Sequence, residues 1–153
     1  MSDESPILLE CVQPTGLPAY RPTKFPYLRA VRIPLSVVYI TKNEAGRIGK
    51  SLDSVQWCDE IIVLDSNSSD GTEELCLSKG AKVYQQEFLG YGKQKQAALE
   101  KASHQWILSL DADEVLSAEL QGEIQSLLSS EPQIKAFYLR RKLVFLGKLF
   151  SFG

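Results

Sequence analysis

The sequence predicts an α/β fold, a three-layer α/β/α sandwich built on a mostly parallel sheet. Three observations carry that expectation. Short apolar runs of the buried-strand type recur along the chain, segments with one apolar stripe at helical spacing separate them, and the loops after the apolar runs are polar and rich in Asn, Asp and Ser. Strands that alternate with helices pair in parallel through right-handed crossovers, which covers both faces of the sheet. Ligands of such sheets sit beyond the carboxyl ends of the strands, so the chemistry is to be sought in the loops there.

Six of the seven prolines stand at positions 6, 14, 18, 22, 26 and 34, so residues 1–32 are expected to form an extended, flexible arm and residues 33–153 the domain. Residues 35–40 (LSVVYI) read as the first strand and 41–46 as a polar loop. Ile48, Leu52 and Val55 recur at i, i+4 and i+7 and predict a helix, after which 60–64 (EIIVL) read as a second strand. Asp70 stands where it can cap the next helix, Glu73 completes a capping box, and Gly80 ends that helix. Residues 82–85 then read as a strand, 92–102 as a helix lined by Ala98, Leu99 and Ala102, and 106–110 as a fourth strand. Ser117 caps a helix whose Leu120, Ile124, Leu127 and Leu128 form one apolar face, and 136–146 read as a final strand. Its mixture of cations and large apolar groups suits either an interior strand or contact with a membrane surface or glycolipid.

Apolar residues make up 44% and charged residues 24% of the 153, which suits one soluble compact unit and excludes collagen-like or wholly disordered chains. The formal net charge is −2 and no long run of one sign occurs, so no nucleic-acid partner is expected. Cys11, Cys58 and Cys76 form no C-x-x-C pattern, and His104 is the one histidine, so a zinc site of nitrogen and sulfur is not supplied. Any metal here would use oxygen. His104 itself reads as a surface or capping residue. No apolar stretch reaches the roughly 20 residues of a membrane span and no signal peptide is legible, so a cytoplasmic location is expected.

The strand-end loops 41–46, 65–71, 87–93 and 111–114 bring Glu44, Asp65, Asp70, Asp111 and Asp113 to one sheet edge under this topology. Like charges gathered there repel unless a cation or hydrogen-bond donors intervene. A divalent ion such as Mg or Mn resolves the conflict by taking one or two carboxylates and completing its shell with water and the phosphates of a nucleoside diphosphate. The alternatives are a solvated turn at Asp111 and Asp113, and loop-shaping or capping roles for Asp65 and Asp70. Gly90 and Gly92 lack the third glycine of a dinucleotide fingerprint, and Glu87 stands where a P-loop needs its first glycine. Lys93 and Lys95 fall in the first turn of a helix, where the macrodipole opposes them. A bound diphosphate accounts for them, and so does plain solvation.

Residues 35–45 (LSVVYITKNEA), 59–72 (DEIIVLDSNSSDGT) and 108–114 (LSLDADE), in that order, strongly resemble family 2 glycosyltransferases of the GT-A fold. The stretch 90–98 (GYGKQKQAA) looks like the bacterial branch that adds a sugar to the lipopolysaccharide core, often a β-1,4-glucosyltransferase. The resemblance implies inverting transfer of a sugar from a nucleoside-diphosphate sugar, UDP-glucose first among them, to a lipopolysaccharide-core or other glycan or glycolipid acceptor, with Mg or Mn as cofactor. Residue by residue, it implies that Thr41 and Glu44 border the nucleotide pocket and that Asp65 hydrogen-bonds the uracil. It further implies that Lys93 approaches the diphosphate, that Asp111 lies near the ribose and donor sugar, and that Asp113 binds the metal. Asp70 is expected to support its loop as a cap.

Members of the family continue into a later half that supplies the acceptor site and an Asp or Glu general base. The base is therefore expected beyond Gly153, and the fold here is expected to be incomplete at its C-terminus. The arm over residues 1–32 matches nothing in the family pattern. Two function classes follow: the donor-binding half of a transferase working at the inner face of the cytoplasmic membrane, or a non-catalytic module that only binds nucleotide sugar. In either case an uncovered apolar edge is expected to favour self-association.

Overall fold

The computed structural model describes residues 7–12, 33–130, 132, 136–145 and 148–150. In chain order its elements are β1 (Ile7–Val12), β2 (Leu35–Thr41), α1 (Ile48–Ser54), β3 (Glu60–Asp65), α2 (Thr72–Ser78) and β4 (Lys82–Gln85). There follow α3 (Tyr91–Leu99), β5 (Trp106–Leu110), β6 (Glu114–Leu116), α4 (Ala118–Ser129), β7 (Tyr138–Phe145) and β8 (Lys148–Phe150). The described residues fall into two compact units where composition suggests one: Pro34–Val115, and a second drawn from both sides of it.

The first unit is the expected sandwich. Its four strands run β4-β3-β2-β5, and every pairing is parallel, with Val38 opposite Ile62 and Ser109, and Ile62 opposite Lys82. Side chains alternate across a strand, so the odd and even residues of β2 serve opposite layers. Val38 joins Ile62, Leu64 and Ala98 in one core, completed by Ile40, Ala97, Leu99, Ala102 and Ile107, which seats α3 on that face. Tyr39 points the other way and its hydroxyl meets Ser51 Oγ of α1 at 2.9 Å. Ile48 and Leu52 of α1 and Cys76 of α2 are buried on the same side. All six residues of β3 are buried, as a parallel strand covered on both faces requires.

The capping expected of Asp70 takes another form. The residue that caps α2 is Gly71, at φ 90°, with no side-chain bond. Asp70 Oδ1 instead accepts from the Thr72 N–H at 3.1 Å, and Glu73 reaches Gln85 Nε2 at 2.8 Å rather than the helix start. Ser117 does cap α4, accepting from the Leu120 N–H at 3.2 Å.

The second unit corrects the reading of the arm. β1 lies between Pro6 and Pro14, which frame the strand instead of breaking it, and it pairs antiparallel with β7 from Ile7 opposite Leu143 to Val12 opposite Tyr138. The rest of residues 1–32 lies outside the described residues. β7 also pairs antiparallel with β8, Val144 opposite Leu149, so the cation-bearing final strand has a partner on each side. Among the described residues no helix is long and apolar enough to cross a membrane.

One carboxylate ties together the amino ends of all four parallel strands. Glu60, 7% exposed at the head of β3, accepts from Ser36 Oγ of β2 at 2.7 Å and from Lys82 Nζ of β4 at 2.7 Å. It also accepts from the N–H and hydroxyl of Ser103, just before β5, at 2.8 and 2.9 Å. Ser36 spends its one hydroxyl proton on Glu60, so His104 Nδ1, 2.9 Å from that oxygen, must carry a proton and donate. His104 is thus a half-buried part of this network, where the sequence suggested a surface or capping residue. Burial alone raises the Glu60 carboxyl, but the bonds from Lys82, Ser103 and Ser36 outweigh it and bring the pKa down from 4.5 to about 2.

A carboxylate depressed in the fold contributes stability that is fully present above its unfolded pKa and lost as pH falls toward its folded one. At ~1.4 kcal/mol per pKa unit, Glu60 contributes about 3 kcal/mol near neutral pH. Glu60→Gln is therefore expected to lose about that much in urea unfolding at pH 7, and the difference from the parent chain should shrink steadily between pH 4.5 and pH 2. An equal difference at both ends of that window would contradict the assignment.

Candidate functional site

At the carboxyl edge of the sheet the first two loops are locked into each other. Asp65, the last residue of β3, is fully buried, and its carboxylate accepts from Thr41 Oγ1 at 2.6 Å, from the Ser68 N–H at 2.7 Å and from Ser68 Oγ at 2.5 Å. Burial pushes its pKa up, but the donations from Ser68, Thr41 and Gln85 prevail and hold it below the usual carboxylate range. Asn43 and Asn67 both adopt φ 56°, a conformation that Asn tolerates better than most residues. Asn43 gives its N–H to Ser68 Oγ at 2.8 Å and accepts the Ser69 N–H at 2.9 Å. Lys42 Nζ donates to the carbonyls of Ser66 and Asn67. The Glu44 N–H reaches Thr72 Oγ1 at 2.8 Å, and the Ala45 N–H reaches Asp70 Oδ2 at 3.0 Å. Glu44 is thus presented from a fixed platform.

The third and fourth loops are tied in as firmly. Gln94 of α3 is fully buried and donates to Ser66 Oγ at 3.2 Å while accepting the Leu89 N–H at 3.3 Å. Gly90, at φ 91° and ψ 150°, takes a conformation that other residues rarely adopt and so lets the chain turn sharply into α3. After β5, Glu114 is buried and its Oε2 accepts the Asp111 N–H at 2.9 Å, while the Asp111 carbonyl accepts the Glu114 N–H at 3.0 Å. This turn leaves Asp113 exposed with no hydrogen bond or ion pair among the described residues.

Between these loops opens a cleft of about 440 Å³ lined by Ile40, Glu44, Arg47, Tyr91, Gly92, Lys95, Asp111, Ala112 and Asp113. Arg47 Nη1 stands 3.4 Å from Glu44 Oε2, and Lys95 Nζ stands 2.8 Å from Asp111 Oδ1. Glu44 titrates above the ordinary carboxylate range because burial, and then the like charges of Asp113 and Asp70, outweigh the opposing effect of Arg47. Among the described residues of this lining three carboxylates face two cations, a formal charge of −1 that a bound cation would offset.

Of the residues that the sequence nominated, Glu44, Asp111 and Asp113 meet in this cleft. Thr41 and Asp65 bond to each other and do not line it, because strand alternation turns both into the buried framework. Lys93 does not line it either. Two residues along a helix is a turn of about 200°, so α3 presents Lys95 to the cleft and Lys93 away from it. Arg47 and Tyr91 were not singled out from the sequence. Arg47 was legible as the residue three after Glu44 at the entry to α1, and Tyr91 as the first residue of α3 beyond an invertible glycine.

The family model described as Glycosyl transferase family 2 matches residues 36–141. The chain belongs to this family. The match takes in all of the parallel sheet but Leu35, and every residue of the cleft. Family relatives include an uncharacterized glycosyltransferase of Rickettsia bellii, 43% identical over 115 residues, or 74% of this chain and 39% of the relative. The lipopolysaccharide core biosynthesis glycosyltransferase LpsC of Rhizobium meliloti is 35% identical over 121 residues, 76% of this chain and 45% of LpsC. Among solved structures, S. aureus TarS (residues 1–349) superposes with a TM-score of 0.57 at 25% identity, over 64% of this chain and 33% of TarS. The architecture is therefore that of GT-A transferases, and the chain spans less than half the length of the curated relatives named here.

The loop platform makes a direct prediction. Asp65→Ala leaves the Ser68 N–H and two hydroxyls without their acceptor in a buried place, and is expected to cost about 2–3 kcal/mol in urea unfolding. Stability equal to that of the parent chain would show that the carboxylate does not organise the two loops.

Proposed function

We propose that the cleft is the donor site of a metal-assisted, inverting glycosyltransferase that takes a UDP-sugar, with UDP-glucose the first candidate, and serves a glycan acceptor of the lipopolysaccharide-core kind. Residues 33–153 are then its donor-binding half. The observation that carries the reading is the meeting of Glu44, Asp111 and Asp113 with Arg47 and Lys95 in one cleft at the carboxyl edge of a parallel sheet. Family membership supports the reaction class, TarS has been solved in complex with UDP-GlcNAc, with a TM-score of 0.55 to this chain at 25% identity, and the name of LpsC supports the acceptor class.

The residues fit a divalent ion of the Mg or Mn type. Among the described residues no group of three or more His, Cys, Asp or Glu could hold a metal alone. Such ions, however, are held by one or two carboxylates together with substrate phosphates. Asp113, exposed and unengaged, is the ligand we assign, with Asp111 beside it toward the ribose and donor sugar. When bound, the ion offsets the negative charge that develops on the departing nucleoside diphosphate.

The chain's own residues do the rest of the positioning. A diphosphate added to a lining of formal charge −1 is repelled unless cations face it, and Arg47 and Lys95 supply two. The platform built on Asp65, Thr41 and Asp70 holds the backbone that carries Glu44, so little ordering of this loop is left to be done on binding. The acceptor hydroxyl attacks the anomeric carbon as the bond to the diphosphate breaks, and its proton passes to a general base.

The test is thermal unfolding of the chain with UDP-glucose, with and without Mn2+, compared with Asp113→Ala. A ligand at about 100 times its dissociation constant adds roughly 2.7 kcal/mol, so the midpoint is expected to rise by several degrees with metal and nucleotide together and to lose most of that rise in Asp113→Ala. No rise with any of several nucleoside-diphosphate sugars, in a chain that melts cooperatively, would overturn the donor-site reading.

A further inference from the structure

Lys95 and Asp111 form the tightest ion pair in the cleft, 2.8 Å between Nζ and Oδ1, with the two side chains 38% and 37% exposed. Their freedom to move differs. The Asp111 backbone is held on both sides by Glu114, through its N–H at 2.9 Å and its carbonyl at 3.0 Å, which fixes the point from which its carboxylate reaches into the cleft. Lys95 reaches it on a flexible four-carbon stem from α3, a helix that buried Gln94 fastens to Ser66 and Leu89. Arg47 and Glu44, also in the cleft, pair more loosely at 3.4 Å and within one turn of chain, while Asp113 has no ion pair among the described residues.

A divalent cation held by Asp113 and drawn to the neighbouring Asp111 carboxylate competes there with the Lys95 ammonium, whose stem starts from a fastened helix and so keeps a displaced ammonium within reach of the cleft. Resting on the donor-site reading, we propose that Lys95 is an exchangeable counter-ion. In the empty cleft it neutralises Asp111, and when a divalent cation engages the carboxylates it is released to bind the diphosphate of the donor. Lys95 is then a positioning residue that couples metal binding to nucleotide binding. Linkage makes the coupling reciprocal, so each ligand must strengthen the other by the same factor.

The experiment follows Mn2+ alone by the paramagnetic resonance of the free ion, and UDP by calorimetry with and without Mn2+, on the full chain and three variants. Lys95→Met lacks the competing charge and is expected to bind Mn2+ alone about fivefold more tightly, while the factor by which Mn2+ strengthens UDP binding falls by about fivefold or more. Lys95→Arg keeps the charge and should match the parent chain within about twofold in both. Lys95→Gln also lacks the charge but keeps a polar side chain and should repeat both changes, which keeps the test decisive even if Lys95→Met folds poorly. Unchanged Mn2+ affinity in Lys95→Met and Lys95→Gln, or an unchanged coupling factor in them, would each overturn the exchange. A parent chain that binds Mn2+ and UDP while the variants behave identically would refute the exchange and leave the donor site standing. A parent chain that binds neither would remove the donor-site reading and the exchange with it.

Discussion

Parallel pairing of β2 with β3 on one side and β5 on the other is the constraint from which the rest of the first unit follows. Because the three strands point the same way, their carboxyl ends lie side by side, and the loops carrying Glu44, Asp65 and Asp111 share one edge. Each crossover must pass over a face of the sheet, which puts α1 and α2 on one side and α3 on the other. A one-residue slip of β2 would turn Tyr39 away from Ser51 and Val38 out of the α3 core, so the register is fixed by burial on both faces.

Two buried carboxylates hold the opposite ends of this sheet, and both stay charged because the bonds they accept outweigh their burial. Glu60 gathers the amino ends of the strands through Ser36, Lys82 and Ser103. Asp65 gathers the first two loops at the carboxyl end, and by drawing in Thr41 and Ser68 it frees the remaining acids to face the cleft. The division of labour is physical. Saturated carboxylates build the framework, whereas Glu44 and Asp111, each facing a cation, and Asp113, exposed, line the cleft.

The parallel sheet was legible because buried strands write continuous apolar runs and amphipathic helices write stripes, so residues 82–85 and 106–110 were bounded correctly and Ser117 was found as a cap. β1 was not legible, since prolines argue against a strand interior and do not say that a six-residue strand fits between Pro6 and Pro14, its partner some 130 residues away. β6 and β8, three residues each, are too short to write a period. In the site, the acids of the strand-end loops were found, but sequence could not say which would be spent on structure. Asp65 reads from the sequence either as a loop-shaping residue or as a nucleotide contact, and its three donors are visible only in the structure. Lys93 and Lys95 looked alike because a first-turn helical phase depends on where the helix begins, and it begins at Tyr91 rather than Gly92.

The central claim is that metal and nucleotide meet at the carboxyl edge, against Asp111 and Asp113, and it can be located residue by residue. Amide spectra of the isotope-labelled chain recorded with UDP and substoichiometric Mn2+ test it, because the paramagnetic ion broadens only its close neighbours. The account predicts that resonances of Ala112, Asp113, Glu44 and Lys95 vanish first while those of Ser36 and Ser103, at the opposite end of the strands, persist. Broadening centred on any other part of the chain, or none at all in the presence of UDP, would contradict it.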